Sequence, residues 1–165
     1  MRMDKQAPVA SVAWYKLADL ITRGEREKAL SVYRLLAHSF DDKAYALQLE
    51  GDVLYALDDP RSKEKYFQAA TLYKEEKRWV DAVALTEHLI ALHPEDPALH
   101  LFAVYCYAVL DIQAKAADRY NCFKKLLNGR DIAPDFFSEE IELLKRLGAQ
   151  KNWLLTLLKL LSPQP

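Results

Sequence analysis

Apolar residues recur three and four positions apart through most of the chain, the spacing that stacks them on one stripe of a helix. The pattern is plainest over 66–97, YFQAATLYKEEKRWVDAVALTEHLIALHPEDP. Ala70 and Tyr73 share one stripe, and Trp79, Ala82, Leu85, Thr86 and Leu89 share a second beyond the polar break at 74–78. Two helices joined so briefly fold back antiparallel. The small Ala70 and Ala82 let the backbones approach while Tyr73 and Trp79 fill the space beside them, and neither stripe is buried without a further neighbour.

The pattern returns 34 residues on: Tyr73 leads to Tyr107 and Ile141, Ala82 to Ala116, Thr86 to Tyr120 and Leu154, and Leu89 to Phe123 and Leu157. On these residues the chain resembles the tetratricopeptide repeat superfamily, whose unit is a helix pair of about 34 residues. The likeness is fullest over 66–94, continues over 97–127, and weakens after Pro134, where Ser138 and Gln150 replace small residues.

Taken in order, residues 1–8 read as a flexible N-terminal arm and 9–162 as a single helical-repeat domain. Over 9–23 the apolar face is Val12, Trp14, Leu17, Ala18 and Ile21, and Gly24 ends the helix by allowing a left-handed turn. A second helix over 25–39 carries Ala29, Tyr33 and Leu36. Asp41 or Asp42 caps a third, ending at Leu57, in which Gly51 implies close approach by a neighbour. Asp59-Pro60 starts a fourth, over 60–76. Tyr66 makes that helix the second member of one pair, while Ala70 and Tyr73 make it the first of the next. The remaining helices fall at 78–92, 97–110, 113–127, 134–147 and 150–161, and no segment reads as a strand. The expected fold is therefore all-α, an α-α superhelix or tetratricopeptide-like solenoid of about nine antiparallel helices.

Composition narrows the class of work. The 165 residues suffice for a real core, 51% of them are hydrophobic, and only 4 are glycine. A net charge of −1 argues against a general nucleic-acid or membrane-surface binder. Neither a signal-peptide core nor a run of about 18 apolar residues is present, so no membrane insertion is expected. Cys106 and Cys122 make neither a disulfide framework nor a metal motif, and they read as reduced thiols of a cytoplasmic protein.

The resemblance implies a concave groove lined by the first helix of each pair. Carried onto this chain, its positions are Tyr15, Asp19 and Arg23; Gln48, Asp52 and Tyr55; Phe67, Thr71 and Lys74; Leu101 and Tyr105; and Asp135, Glu139 and Glu142. With an aromatic centre and acidic ends, such a groove suits a protein or peptide with apolar anchors and basic flanks. The best-known peptide-binding version of the fold clamps a C-terminal carboxylate with Lys and Asn. Here the matching places hold Tyr15, Asp19, Gln48 and Asp52, whose acids repel such a group.

The last helix, NWLLTLLKLL, is apolar almost all round through Trp153, Leu154, Leu155, Leu157, Leu158, Leu160 and Leu161. Terminal repeats usually keep a polar outer face, so this helix is expected either to dock a partner or a second copy, or to fold onto its own array. Covalent chemistry has little to work with: no Gly-rich phosphate loop and no cofactor motif occur. His88, His93 and His100 gather around the turn at 94–97, which leaves a metal-binding protein or an enzyme as the alternative reading. Both cysteines read as small core residues. The basic group Lys115, Arg119, Lys124, Lys125 and Arg130 does not share a stripe and reads as solvated surface rather than a nucleic-acid site. The sequence thus points to a non-enzymatic interaction module, a scaffold, adaptor or chaperone, which uses its groove, its C-terminal helix or both.

Overall fold

The computed structural model describes residues 7–128 and 137–160, and side chains over 12–128 and 137–159. All regular structure among the described residues is helical: α1 Ala7–Thr22, α2 Arg26–Ala37, α3 Lys43–Ala56, α4 Arg61–Glu75, α5 Trp79–Leu92, α6 Pro97–Val109, α7 Gln113–Asn128, α8 Ser138–Gly148 and α9 Asn152–Leu160. These bounds follow the predicted ones closely. Ala7 and Pro8, expected in a loose arm, already belong to α1; residues 1–6 and the expected start of the eighth helix at 134 lie outside the described residues.

Sequence-local chemistry sets the helix starts. Asp42 caps α3 by accepting from the Tyr45 amide at 2.9 Å, Asp59 accepts from the Arg61 amide at 3.0 Å ahead of α4, and Asp96 accepts from the Ala98 amide at 3.0 Å ahead of α6. Each carboxylate satisfies an amide that has no partner within its helix.

The α1–α2, α3–α4, α4–α5 and α6–α7 turns are built alike. Gly24, Asp58, Lys77 and Asp111 all take the left-handed conformation, with φ of 68°, 50°, 60° and 62°. In each, the amide of the following residue reaches back five positions: Glu25 to the Leu20 carbonyl, Asp59 to Leu54, Arg78 to Tyr73 and Ile112 to Tyr107, over 2.8 to 2.9 Å. The left-handed residue itself bonds three positions back. This is the Schellman closure, which satisfies the last carbonyls and reverses the chain. Gly24 and Asp58 stand 34 residues apart, as do Lys77 and Asp111, so the repeat is written in the turns as well as in the cores. The helix claimed by two pairs, α4, is entered through the turn at Asp58 and left through the turn at Lys77.

By contacts the chain divides into two compact units, Met1–Leu72 and Tyr73–Pro165. The core of the first is built around Leu17, Leu20, Leu30, Tyr33, Val53 and Leu54 from α1, α2 and α3. Here the expected stripe of α1 is corrected. Leu17 and Leu20 point inward with Ala13 and Ile21 beside them, while Val12 is exposed, Ala18 is exposed, and Trp14 lies at the rim, stacked on Phe40. Positions 13, 17, 20 and 21 also share a stripe, and the packing of α2 selects that one.

Gly51 fulfils its expectation. A Cβ there would meet the Tyr66 ring at 2.6 Å, so only glycine lets α4 lie this close to α3. Tyr66 is 1% exposed, and its hydroxyl donates to Asp52 at 2.8 Å.

The core of the second unit joins α6 and α7 to α8 and α9 through Leu101, Val104, Phe123, Phe137, Leu144 and Leu154. Tyr73, Ala82, Thr86 and Leu89, and their counterparts Tyr107, Ala116, Tyr120 and Phe123, are all buried. Gly148 serves here as Gly51 does in the first unit: a Cβ on it would meet the Leu155 side chain at 2.9 Å, so the α8–α9 turn closes without one.

Two consequences are measurable. Lys77 holds a conformation that costs a side-chain-bearing residue about 1 kcal/mol, so Lys77→Gly is expected to stabilise the fold by roughly that amount in urea unfolding. Asp59, 3% exposed, is held down to about 2 from the ordinary 3.8, first by the side-chain hydrogen bonds of Arg61 and next by the Arg61 amide. A carboxyl with a depressed folded value contributes fully above the ordinary value and loses that contribution as pH falls toward 2. Melting temperature measured from pH 5 to pH 2 should therefore drop through that window, and Asp59→Asn should flatten this part of the drop.

Candidate partner-binding surface

The expected groove positions sort into four kinds once side chains are placed. Tyr15 is 79%, Tyr55 49% and Phe67 40% exposed, large rings standing on first-helix positions of α1, α3 and α4. A second kind is exposed but paired. Asp19 on α1 and Arg23 just past its end form an ion pair, Arg23 also reaches Glu25 at 3.4 Å, and Glu142 faces Lys145 and Arg146, each at 3.9 Å. Surface pairs like these leave most of each charge available to an incoming group. Asp52 is exposed as well and accepts from Tyr66, so it positions the ring that packs on Gly51.

The third kind is half-buried. Thr71 donates its hydroxyl to the Phe67 carbonyl at 2.9 Å, and Gln48 is half-buried with a partner of its own. Lys74 places its ammonium 5.0 Å from the Tyr105 ring centroid and 5.2 Å from that of Phe102. Tyr105 in turn meets the Trp79 ring at 6.0 Å.

The fourth kind is a correction. Leu101 is 2% exposed and belongs to the core of the second unit, because α8 packs across α6 and covers it. It offers nothing to a partner. Glu139 and Glu142 instead edge a shallow hollow of about 540 Å³ on α8 with Ser138, Leu143 and Arg146. Asp135 lies outside the described residues.

Of the two expectations for the C-terminal helix, the described side chains follow the second and turn onto their own unit. Leu154 is 0% and Leu158 7% exposed, both within the second core, with Trp153 and Leu157 packed against its edge. Leu155 is half-buried against Gly148, and the Trp153 indole donates to Asp111 at 2.9 Å. Lys151 reaches the same carboxylate at 3.1 Å, and Trp153 and Lys151 together hold the Asp111 carboxyl below its usual range. The described part of α9 is thus engaged by its own unit on several sides, which is why it is apolar round most of its circumference. Leu161 lies outside the described residues.

Sequence reading also missed a brace. Glu87 on α5 accepts from the Tyr107 hydroxyl at 2.9 Å and from Arg119 Nε at 2.8 Å, and forms a second bond with the Arg119 guanidinium. Arg119 had the look of solvated surface, yet it ties α7 to α5 through a carboxylate that also holds α6. The signal available in the sequence was the glutamate one residue after buried Thr86 and the arginine one residue before buried Tyr120, places flanking the core stripe at 34-residue spacing.

Around the histidines, His100 is 3% exposed and its Nε2–H donates to the Pro94 carbonyl at 2.9 Å, leaving Nδ1 buried without a partner. His88 is exposed on α5, and His93 caps that helix with Nδ1 3.9 Å from Glu95. Among the described residues no three His, Cys, Asp or Glu side chains gather as metal ligands do. Cys106 is buried and its thiol is pushed up to about 12 by burial, which keeps it neutral. Cys122 is half-exposed and free. No helix among the described residues is long and apolar enough to cross a membrane.

Comparison with known proteins adds little. No family model and no curated protein matches the chain. Among solved structures it is similar to MamA from residue 41 to the end, from Desulfovibrio magneticus RS-1, at 16% identity and a TM-score of 0.42, over 91% of this chain and 89% of that one. It is likewise similar to the MamA RS-1 ArsTM double mutant, at 16% identity and a TM-score of 0.40, over 94% of this chain and 97% of that one.

Because Leu154 fills the core of the second unit, Leu154→Ala should lower the unfolding free energy by about 2–5 kcal/mol. The matched change at half-buried Leu155 should cost clearly less. Equal small losses in chemical denaturation would mean that α9 is not packed as described.

Proposed function

We propose that this chain is a non-enzymatic protein-interaction module that holds a partner segment on the exposed first-helix positions of its repeats. The observation that carries this is the exposure of Tyr15, Tyr55 and Phe67, three large rings at first-helix positions of the first unit. Rings at such places supply rigid apolar contact at little entropic cost. Asp19 and Asp52 stand one turn after Tyr15 and just before Tyr55, so an apolar anchor beside basic residues is the partner chemistry that fits. With Leu154 and Leu158 engaged in the core, the first-helix positions carry the proposed binding and the C-terminal helix does not. A narrower chaperone role in the cytoplasm rests on size and repeat content alone.

Selection of a random 12-residue peptide library displayed on phage against the intact protein tests this. Peptides with aromatic or leucine anchors beside Lys or Arg should be enriched. A synthetic peptide of that kind should lose about tenfold in affinity when Tyr15→Ala and Tyr55→Ala are combined, the scale of two hot-spot truncations. It should weaken in high salt and with Asp19→Lys. At position 52 the change is Asp52→Asn, which keeps an acceptor for Tyr66. No enrichment, or binders indifferent to all of these changes, would refute the assignment.

A further inference from the structure

Lys74 is a cation to which the fold supplies rings and no acid. It lies in the last turn of α4, half-buried, with its ammonium over Tyr105 and Phe102 at 5.0 and 5.2 Å. Other half-buried cations of the same unit are matched differently. Arg78 faces Asp81 at 2.9 Å and Glu76 at 3.4 Å, Lys151 faces Asp111 at 3.1 Å, and Arg119 is paired with Glu87. Among the described residues Lys74 has no carboxylate within ion-pair reach. Lys124 on α7 shares that lack, but no ring shelters it.

The rings change what the ammonium can do. An aromatic face attracts a cation through its quadrupole but leaves the net charge in place. It also removes water from one side of the ammonium, so a carboxylate arriving from the open side meets a charge less screened than one on an ordinary surface. Trp79, half-buried and 6.0 Å from Tyr105 between ring centroids, extends the apolar shelf beyond the cation. Charge and apolar surface thus stand side by side, within reach of one residue and its neighbour in a peptide.

A terminal carboxylate would want a second cationic donor for its other oxygen. The next guanidinium along, that of Arg78, is already held by Asp81 and Glu76 and stacks on Tyr73 at 4.3 Å. A single ammonium suits a side-chain carboxylate instead.

We propose that Lys74, with Phe102, Tyr105 and Trp79, is a docking point for an internal Asp or Glu of a partner segment that carries a large apolar side chain within two residues of the acid. This rests on the reading of the chain as a protein-interaction module, and it gives the second unit a recognition chemistry of its own, an acid beside an apolar anchor.

The test uses the same displayed 12-residue library against the intact protein, because the displayed peptides are fused at their C-termini and present only internal carboxylates. Enriched peptides should carry Asp or Glu within two residues of Leu, Phe or Trp. In a synthetic peptide of that sequence with blocked ends, changing the acid to its amide should weaken binding about tenfold, the scale of a desolvated charge pair. Lys74→Met, which keeps a flexible apolar chain against the rings, should lower the affinity for the acidic peptide and abolish the difference between acid and amide. An unchanged melting curve for Lys74→Met would confirm that the loss is one of recognition. Binders that respond to Tyr15→Ala and Tyr55→Ala but not to Lys74→Met would overturn this inference and leave the module reading standing. A free C-terminus binding more tightly than the blocked peptide would replace the internal acid with a terminal one, and would also overturn it. If no peptide is enriched, the module reading fails and this docking point fails with it.

Discussion

Four of the turns between successive helices each depend on one residue forced into left-handed backbone. Gly24, Asp58, Lys77 and Asp111 let the chain reverse while the closing carbonyls are satisfied by amides from just beyond the helix. Only the first of the four is glycine, so the other three accept a steric cost in order to reverse the chain within two residues. That tightness is what brings small residues opposite one another. Ala103 and Ala116, separated by the turn at Asp111, are both fully buried.

Close approach of the backbones then decides where the large side chains go. Tyr66 packs against Gly51 and Tyr33 donates to the Ala46 carbonyl, so each tyrosine joins a neighbouring helix through its hydroxyl. Burial pushes the Tyr33 hydroxyl up to about 12, and its role is that of a fixed donor. The carboxylates follow a related logic. Asp52, Glu87 and Asp111 each accept from a ring donor on another helix, Tyr66, Tyr107 and Trp153 respectively. Acids that look like surface charge in the sequence are therefore part of how the pairs are held.

These demands limit what is left for binding. A first-helix position serves a partner only if the next pair does not cover it, and Leu101 is lost to α8 on those grounds while Tyr15, Tyr55 and Phe67 remain open. Lys74 is the intermediate case: it is covered by rings on one side and open on the other, with its charge unmatched.

The sequence by itself determined the helices, their caps and the repeat. Three- and four-residue apolar spacing, aspartates at Asp42, Asp59 and Asp96, and the 34-residue recurrence of small and aromatic residues are local or nearly local signals, and the structure keeps all of them. Gly51 was legible too, since glycine within a helix signals close approach. What only the tertiary structure decided is which of two adjacent stripes of α1 turns inward, that Arg119 seeks Glu87, that α8 hides Leu101, and that α9 spends Leu154 and Leu158 on its own unit. The physical reason is common to all four. Hydrophobicity fixes how much of a helix must be covered, but the direction from which cover arrives is set by turn geometry and side-chain volume elsewhere in the chain.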